Sequence, residues 1–409
     1  MPHRPQTGLI RLLQTIAGSR EIAPGDRVAL SPHFVLLTAH DGAALDVLES
    51  RGRKVTAPQR IALAGGDEAL VARARAAGIT RFLTGGCELA ELLEQALVVS
   101  GECAASSLPE IHALGGVGAL GLRLPAADLG ALLAETSIEV TVPEVIRLDL
   151  AGTRQPQIGG RDVFWTLRRE LGPATLVGRA IEITGPGLAT LKLHERQSLC
   201  SLAAHAGLFA ALCLADKAGV AELNAAIQRP YTTVESEKGA VWHQVASLDL
   251  AHAQTCVLAP NSSQARPVAE FQGERIEQVV VGGQGSGSLE ALRMLAETIK
   301  MRRLAPYMRC GVIPNSKLVC KQAEAEDLLN TLQDAGAVVH APGTTPDQLI
   351  QPDFKTLLTT VAAPPGCWRA GPMAAAAAAV AGALTHPERL DAPNQRDSKH
   401  STRTPRQGT

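Results

Sequence analysis

The stretch VVVGGQGSGSLEALRMLAET, residues 279–298, carries the residues best suited by type and spacing to chemistry. A buried strand ending in Gly283, Gly285 and Gly287, with a helix over residues 288–299, would aim backbone N–H groups at one point. Such a point attracts phosphate or carboxylate. Gly283, Gly285 and Ser286 are therefore candidate anion contacts, since glycine lets a ligand approach the backbone closely. No Gly-Lys-Ser/Thr follows, so the turn is not a P-loop. The next strand, MRCGVIPNS, ends without the acidic residue that would hold a ribose. Ser316, at that strand's end, is a further candidate contact. A tight turn with no ligand remains an equally good reading of the same glycines. Eight cysteines occur singly and no CxxC is present, which argues against a zinc ribbon or a thioredoxin-type pair.

The elements that must position these residues read as strand then helix, repeatedly, which indicates α/β units with mostly parallel sheets. RVALSPHFVLLTA reads as a strand and HDGAALDVLESRG as the helix after it. PEVIRLDLAG and RAIEITG read as strands, GRDVFWTLRREL as a helix, and KLHERQSLCSLAAHAGLFAAL as one long helix. At 409 residues the chain can bury two or three cores. No apolar run reaches the ~20 residues of a membrane helix, so a cytoplasmic protein without membrane contact is expected. A net charge of −1 and an aromatic content of 3% disfavour nucleic acid as a partner. Residues 391–409 have almost no apolar side chain and are expected to be disordered.

Beyond single motifs, RAIEITGPGLATLKLHERQSLCSLAAHAGL resembles the aconitase / 3-isopropylmalate dehydratase large-subunit family. Glu182, Gly185, Glu195, Arg196 and Gly207 keep that family's frame, while Ser201 and His205 stand where it has Asn and Glu. IHALGGVGALG, PEVIRLDLAGTRQPQIGGRDV, CGVIPNSKLV and LLNTLQDAGAVVHAPG follow in the family's order. The resemblance covers most of residues 20–390. It implies a three-unit α/β fold, with mostly parallel sheets flanked by helices, over residues 1–143, 144–273 and 274–390, without the family's swivel domain. In split members a separate small subunit supplies that domain, so a partner of that kind is implied here.

The chemistry departs from the resemblance. The family holds a [4Fe–4S] cluster on three cysteine thiolates, and its open iron acts as a Lewis acid on the substrate. Here Gln284, Thr344 and Asp347 occupy the cysteine positions, so no cluster and no metal are expected. A rebuilt site would need Cys310, Cys320 and Cys367, whose spacing matches no ferredoxin or zinc pattern. Candidate acid–base residues are Glu110, His112 and Glu182, with Arg369 as the remaining candidate clamp for a small carboxylic acid. Each has a plain structural alternative: a lone histidine beside a glycine turn, or a glutamate orienting one. Asp67, Asp347 and the pair His40-Asp41 are weaker members of a polar cleft, Asp41 doubling as a helix cap. Two readings follow. The chain is a non-catalytic, regulatory or binding paralogue, or it is a hydro-lyase or isomerase with a cluster-independent site. Direct binding of a phosphorylated ligand by the glycine turn ranks below both.

Overall fold

The computed structural model describes residues 4–19, 21–283, 286–360 and 364–390. Gln284, Gly285 and the expected disordered segment 391–409 lie outside the described residues.

Three sheets carry the fold. The first is parallel throughout, in the order Arg81–Leu83, Ile61–Ala64, Phe34–Thr38, Cys103–Ser106, Leu120–Arg123. Its strands are almost entirely buried apolar runs, as a sheet covered on both faces requires. RVALSPHFVLLTA is two strands rather than one. Arg27–Leu30 pairs antiparallel with Ile138–Thr141, and Phe34–Thr38 enters the main sheet. Pro32 lies between them and has no N–H for a ladder.

The second sheet is also all parallel, in the order Ala210–Cys213, Ala180–Thr184, Val145–Ala151, Gln244–Asp249. The long helix expected across residues 192–212 stops early. Helix Leu193–Ser201 passes into a 3-10 turn, Leu202–Ala206, and Gly207 ends it in the left-handed region at φ 71°. The following FAAL then supplies strand Ala210–Cys213. A four-residue buried apolar run fits a helix or a strand equally well by pattern, and the glycine stop decides it.

The third sheet is mixed, in the order Arg266–Pro267, Cys256–Leu258, Trp368–Ala370, Thr356–Leu358, Gln278–Gly282, Arg309–Ile313, Val338–Val339. Cys256–Leu258 runs antiparallel to both neighbours, and the other pairings are parallel. Two of its strands thus come from the segment assigned by sequence to residues 144–273, so this sheet begins well before residue 274. Helix Pro372–Ala381 packs against helix Leu289–Ile299, and the alanines from Ala374 to Ala379 are at most 1% exposed. No helix among the described residues is long and apolar enough to cross a membrane.

The joints between units are built from backbone contact and buried charge. Gly115 and Gly116 close the 3-10 segment Pro109–Val117 against the second unit. A Cβ on Gly115 would lie 1.7 Å from the Ala211 carbonyl oxygen, and one on Gly116 would lie 2.4 Å from the Gln197 nitrogen. Glu182, fully buried, accepts hydrogen bonds from the Leu9 N–H at 2.6 Å, the Ser236 hydroxyl at 2.7 Å and the Trp242 indole N–H at 2.9 Å. This corrects its reading as a catalytic candidate: both carboxylate oxygens tie the N-terminal helix Gly8–Ala17 to the second sheet. Truncation to Glu182→Ala leaves the buried Leu9 N–H without an acceptor and removes the partner of two part-buried donors. Urea denaturation is expected to show a loss of about 1–3 kcal/mol, more than an Ala scan of exposed glutamates gives.

Candidate functional site

Strand Gln278–Gly282 delivers the glycine turn to the junction of the three units. Gly283 has φ 77° and faces the segment that carries Thr344 and Asp347. A Cβ there would come within 2.9 Å of Pro346 and 3.0 Å of Thr360. The two segments singled out by sequence are therefore brought together. Two of the turn's N–H groups are already engaged, however. Ser286 N–H donates to the Gly283 carbonyl at 3.1 Å and Gly287 N–H to the Asn315 side chain at 2.8 Å. Ser288 caps helix Leu289–Ile299 by accepting from Ala291 N–H at 3.2 Å. Ser286 donates its hydroxyl to the Thr359 carbonyl and accepts from Arg161 Nη2 at 2.9 Å. The hydroxyl and N–H of Ser286, a candidate anion contact, are thus both engaged within the protein.

Arg161, unnoticed as a site residue from sequence, is the centre of the junction. It sits in the first turn of helix Gly160–Leu171 and is fully buried. Its guanidinium reaches the third unit through Ser286, the Thr360 carbonyl at 3.3 Å and the Ala370 carbonyl at 3.5 Å. Among the described residues no carboxylate lies within ion-pair distance of it. Burial lowers its pKa to about 10, so it stays charged at neutral pH. The neighbouring Asp162 is tied to the backbone, accepting from Cys256 N–H at 2.8 Å and Gly159 N–H at 3.1 Å, and burial raises it to about 6.

Other cations lie within electrostatic reach of this region. The charges of Arg369 and Arg161 both act on His205, Arg369 acts on Arg161, and Arg123 acts on His112 and His205. Arg369, half-buried on strand Trp368–Ala370, has its pKa lowered by burial. His205 stands where the resemblance places a glutamate, and burial together with the nearby arginines lowers its pKa to about 4, so an uncharged imidazole takes that place. Acidic groups lie nearby as well. Glu110 is buried and lies within electrostatic reach of Arg161, Glu88 and Cys87. Burial raises the Glu88 carboxyl, and Glu110 adds to the effect. Cations of this kind favour a small carboxylate as ligand, and burial disfavours the charged form of Glu88.

Other sequence candidates hold the walls together. Ser316, fully buried, donates its hydroxyl to Glu94 and caps helix Lys317–Ala325 by accepting from Val319 N–H at 3.1 Å. The Cys87 thiol, raised to about 12 chiefly by burial, accepts from the Gly343 N–H, which ties the first unit to the Thr344 segment. Asp67 caps helix Glu68–Ala76 through Leu70 N–H at 2.8 Å. Asp41 does not cap its helix. It binds the Thr38 N–H and hydroxyl at 2.7 and 2.9 Å. Cys310 lies in the core of the third sheet while Cys367 is near Asp347 and Arg369, so the cysteines of the proposed rebuilt site are dispersed. Among the described residues no group of three His, Cys, Asp or Glu side chains is placed to hold a metal.

His112 is buried with its Nδ1 unpartnered, and burial lowers its pKa to about 4. A histidine kept neutral when folded contributes stability that is present above about pH 6.5 and lost as pH falls toward 4, because the unfolded chain binds the extra proton. His112→Gln is expected to flatten the fall in urea midpoint between pH 7 and pH 5 relative to the parent chain. Parallel pH profiles for the two proteins would contradict this placement.

Comparison with known proteins agrees with the architecture. The aconitase family profile (aconitate hydratase) matches residues 111–347. The 3-isopropylmalate dehydratase large subunit of Desulfitobacterium hafniense (strain Y51) is 29% identical over 320 residues, 75% of this chain and 76% of that one. The large subunit of Aquifex aeolicus (strain VF5) is 26% identical over 418 residues, 93% and 96% of the two chains. The crystal structure of Thermococcus kodakaraensis aconitase X (holo-form) overlaps with a TM-score of 0.49 at 12% identity, over 86% of this chain and 87% of that one, a likeness too weak to add to the argument. With more than half of its length matched and its strand and motif order kept, the chain belongs to the aconitase and 3-isopropylmalate dehydratase large-subunit family.

Proposed function

We propose that this chain works without the family's iron–sulfur cluster. In this reading it binds a small carboxylic acid near Arg161 and Arg369 and serves as a regulatory or stabilising paralogue, paired with a small-subunit-like chain or a catalytic relative. One observation carries the reading: an amide, a hydroxyl and a carboxylate, on Gln284, Thr344 and Asp347, stand where the cluster needs three soft thiolates. The donor set does not fit the group. The Thr344 hydroxyl is already given to the Ala341 carbonyl at 2.7 Å, and Asp347 is exposed. Cys87 and Cys367, the thiols beside these segments, have their pKa values raised by burial. The cations around Arg161 and Arg369 support a carboxylate as ligand, and the naming of the relatives as large subunits supports a separate small partner.

A second reading rests on the Glu88–Glu110 pair. A carboxyl raised by burial beside a second carboxylate is the arrangement that separates acid from base, and it would serve a cluster-independent hydro-lyase or isomerase. Both readings meet in one assay. The purified chain, alone and with a co-expressed small-subunit-like partner, is offered hydroxy-di- and tricarboxylic acids with and without Mg²⁺. The regulatory reading predicts saturable binding and no turnover. Turnover that is lost in Glu110→Gln while binding persists would replace it with the second.

A further inference from the structure

A pocket opens where the second unit hands the chain to the third. It is walled by the C-terminal half of helix Gly160–Leu171 and by the segment 254–270, which carries strands Cys256–Leu258 and Arg266–Pro267 into the third sheet. Its volume of about 420 Å³ falls in the range that holds a small organic molecule. Trp165, Arg168, Arg169, Pro173, Arg266 and Glu270 are on its lining, whereas Arg161, Arg369, Glu88 and Glu110 are not. The pocket is therefore separate from the residues that carry the proposed function.

Three guanidinium groups meet one carboxylate on this lining. Arg266 and Glu270, four residues apart, form an ion pair and neutralise each other. Arg168 and Arg169 form no ion pair among the described residues. Arg168 donates through Nη1 to the Ser263 carbonyl, and its Nη2 has no hydrogen bond among the described residues. Burial lowers its pKa, and no carboxylate offsets that cost. Arg169 is exposed, and its one polar partner among the described residues is the Cys256 thiol. Both lie in the last turn of their helix, where cations suit the carbonyl end. That end carries only about half a negative charge against two positive ones, so an excess of positive charge remains. The planar fork of a guanidinium matches a carboxylate or phosphate, and Trp165 and Pro173 offer an apolar wall beside it.

We propose that this pocket binds one small dianionic molecule, its charges on a pair of carboxylates or on one phosphate group, against Arg168 and Arg169 with its body on Trp165. Such a ligand supplies the missing counter-charge. It would touch both the helix of the second unit and Arg266–Pro267, the strand at the edge of the third sheet. Arg161 stands one turn before Trp165 on the same helix, 5.9 Å from the centroid of its ring. The occupant would thus be one side chain away from the residue that joins the two units. The site stands whether or not the chain holds a cluster or turns over a substrate, because none of the residues in those readings takes part.

The test uses the full chain, calorimetry, and arginine modification by phenylglyoxal mapped by mass spectrometry. Isophthalate and phenyl phosphate, two dianions with an aromatic body, are titrated separately at about pH 8, where a phosphate monoester carries both charges. Benzoate is the singly charged comparison. Expected are saturable binding of one dianion or both, binding of benzoate weaker by about tenfold or more, and protection of Arg169 from modification. Arg168→Gln and Arg169→Gln should each weaken binding about tenfold or more, as for the loss of a hydrogen bond to a charged group, while Arg369→Gln leaves it unchanged. The dianion that binds in this pattern shows whether carboxylates or a phosphate carry the charge, and binding of both assigns the site to the charge they share. A folded chain that binds neither, that binds them equally well in Arg168→Gln and Arg169→Gln, or that loses binding in Arg369→Gln instead, would overturn the proposal.

Discussion

A guanidinium that, among the described residues, forms no ion pair with a carboxylate joins this protein's second and third units. Removing a full charge from water is expensive unless dipoles replace the water, and Arg161 is surrounded by two carbonyls, a serine hydroxyl and the N-terminal ends of helices. The carbonyls and hydroxyl oxygen are favourable to a cation, whereas the helix ends are not. The glycine turn is drawn in because Ser286 serves Arg161 and Thr359 at once.

The residues that match the family most strongly turn out to be fasteners. Glu182 gathers three donors. Arg196 is paired with Asp216 at 2.9 Å and with the Leu191 and Leu188 carbonyls at 2.9 Å each. Gly115 and Gly116 allow backbone to touch backbone between units. Such contacts depend on shape and hydrogen-bond geometry but not on any reaction, so they hold the fold when the chemistry around them changes. In the proposed reading the departures lie elsewhere, at His205 and at the amide, hydroxyl and carboxylate of Gln284, Thr344 and Asp347.

Much of the fold was legible because parallel strands leave simple marks: short buried apolar runs, glycine at their ends, amphipathic helices between. The failures have local causes. FAAL was absorbed into a helix because four apolar residues carry no period of their own, and only the left-handed Gly207 separates them. The strand Cys256–Leu258 joins a sheet whose other members lie mostly beyond residue 266, a long-range pairing that no local pattern contains. The site was harder. Arg161 sits in plain view within GGRDV, yet its burial depends on three separate segments converging. Glu182 was misread because a buried glutamate that fastens a helix and one that moves a proton look alike in sequence. Glu110 and His112 do reach the junction, through the 3-10 segment that the family order had pointed to.

The account turns on whether the thiolate positions have truly ceased to hold a cluster. Iron and acid-labile sulfide should be measured, with the visible absorption spectrum, on the full chain purified without oxygen and supplied with iron and sulfide during expression. The account predicts neither element above trace amounts and no cluster absorption. Iron and sulfide in stoichiometric amounts, retained through gel filtration, would contradict it and would require ligands other than Gln284, Thr344 and Asp347.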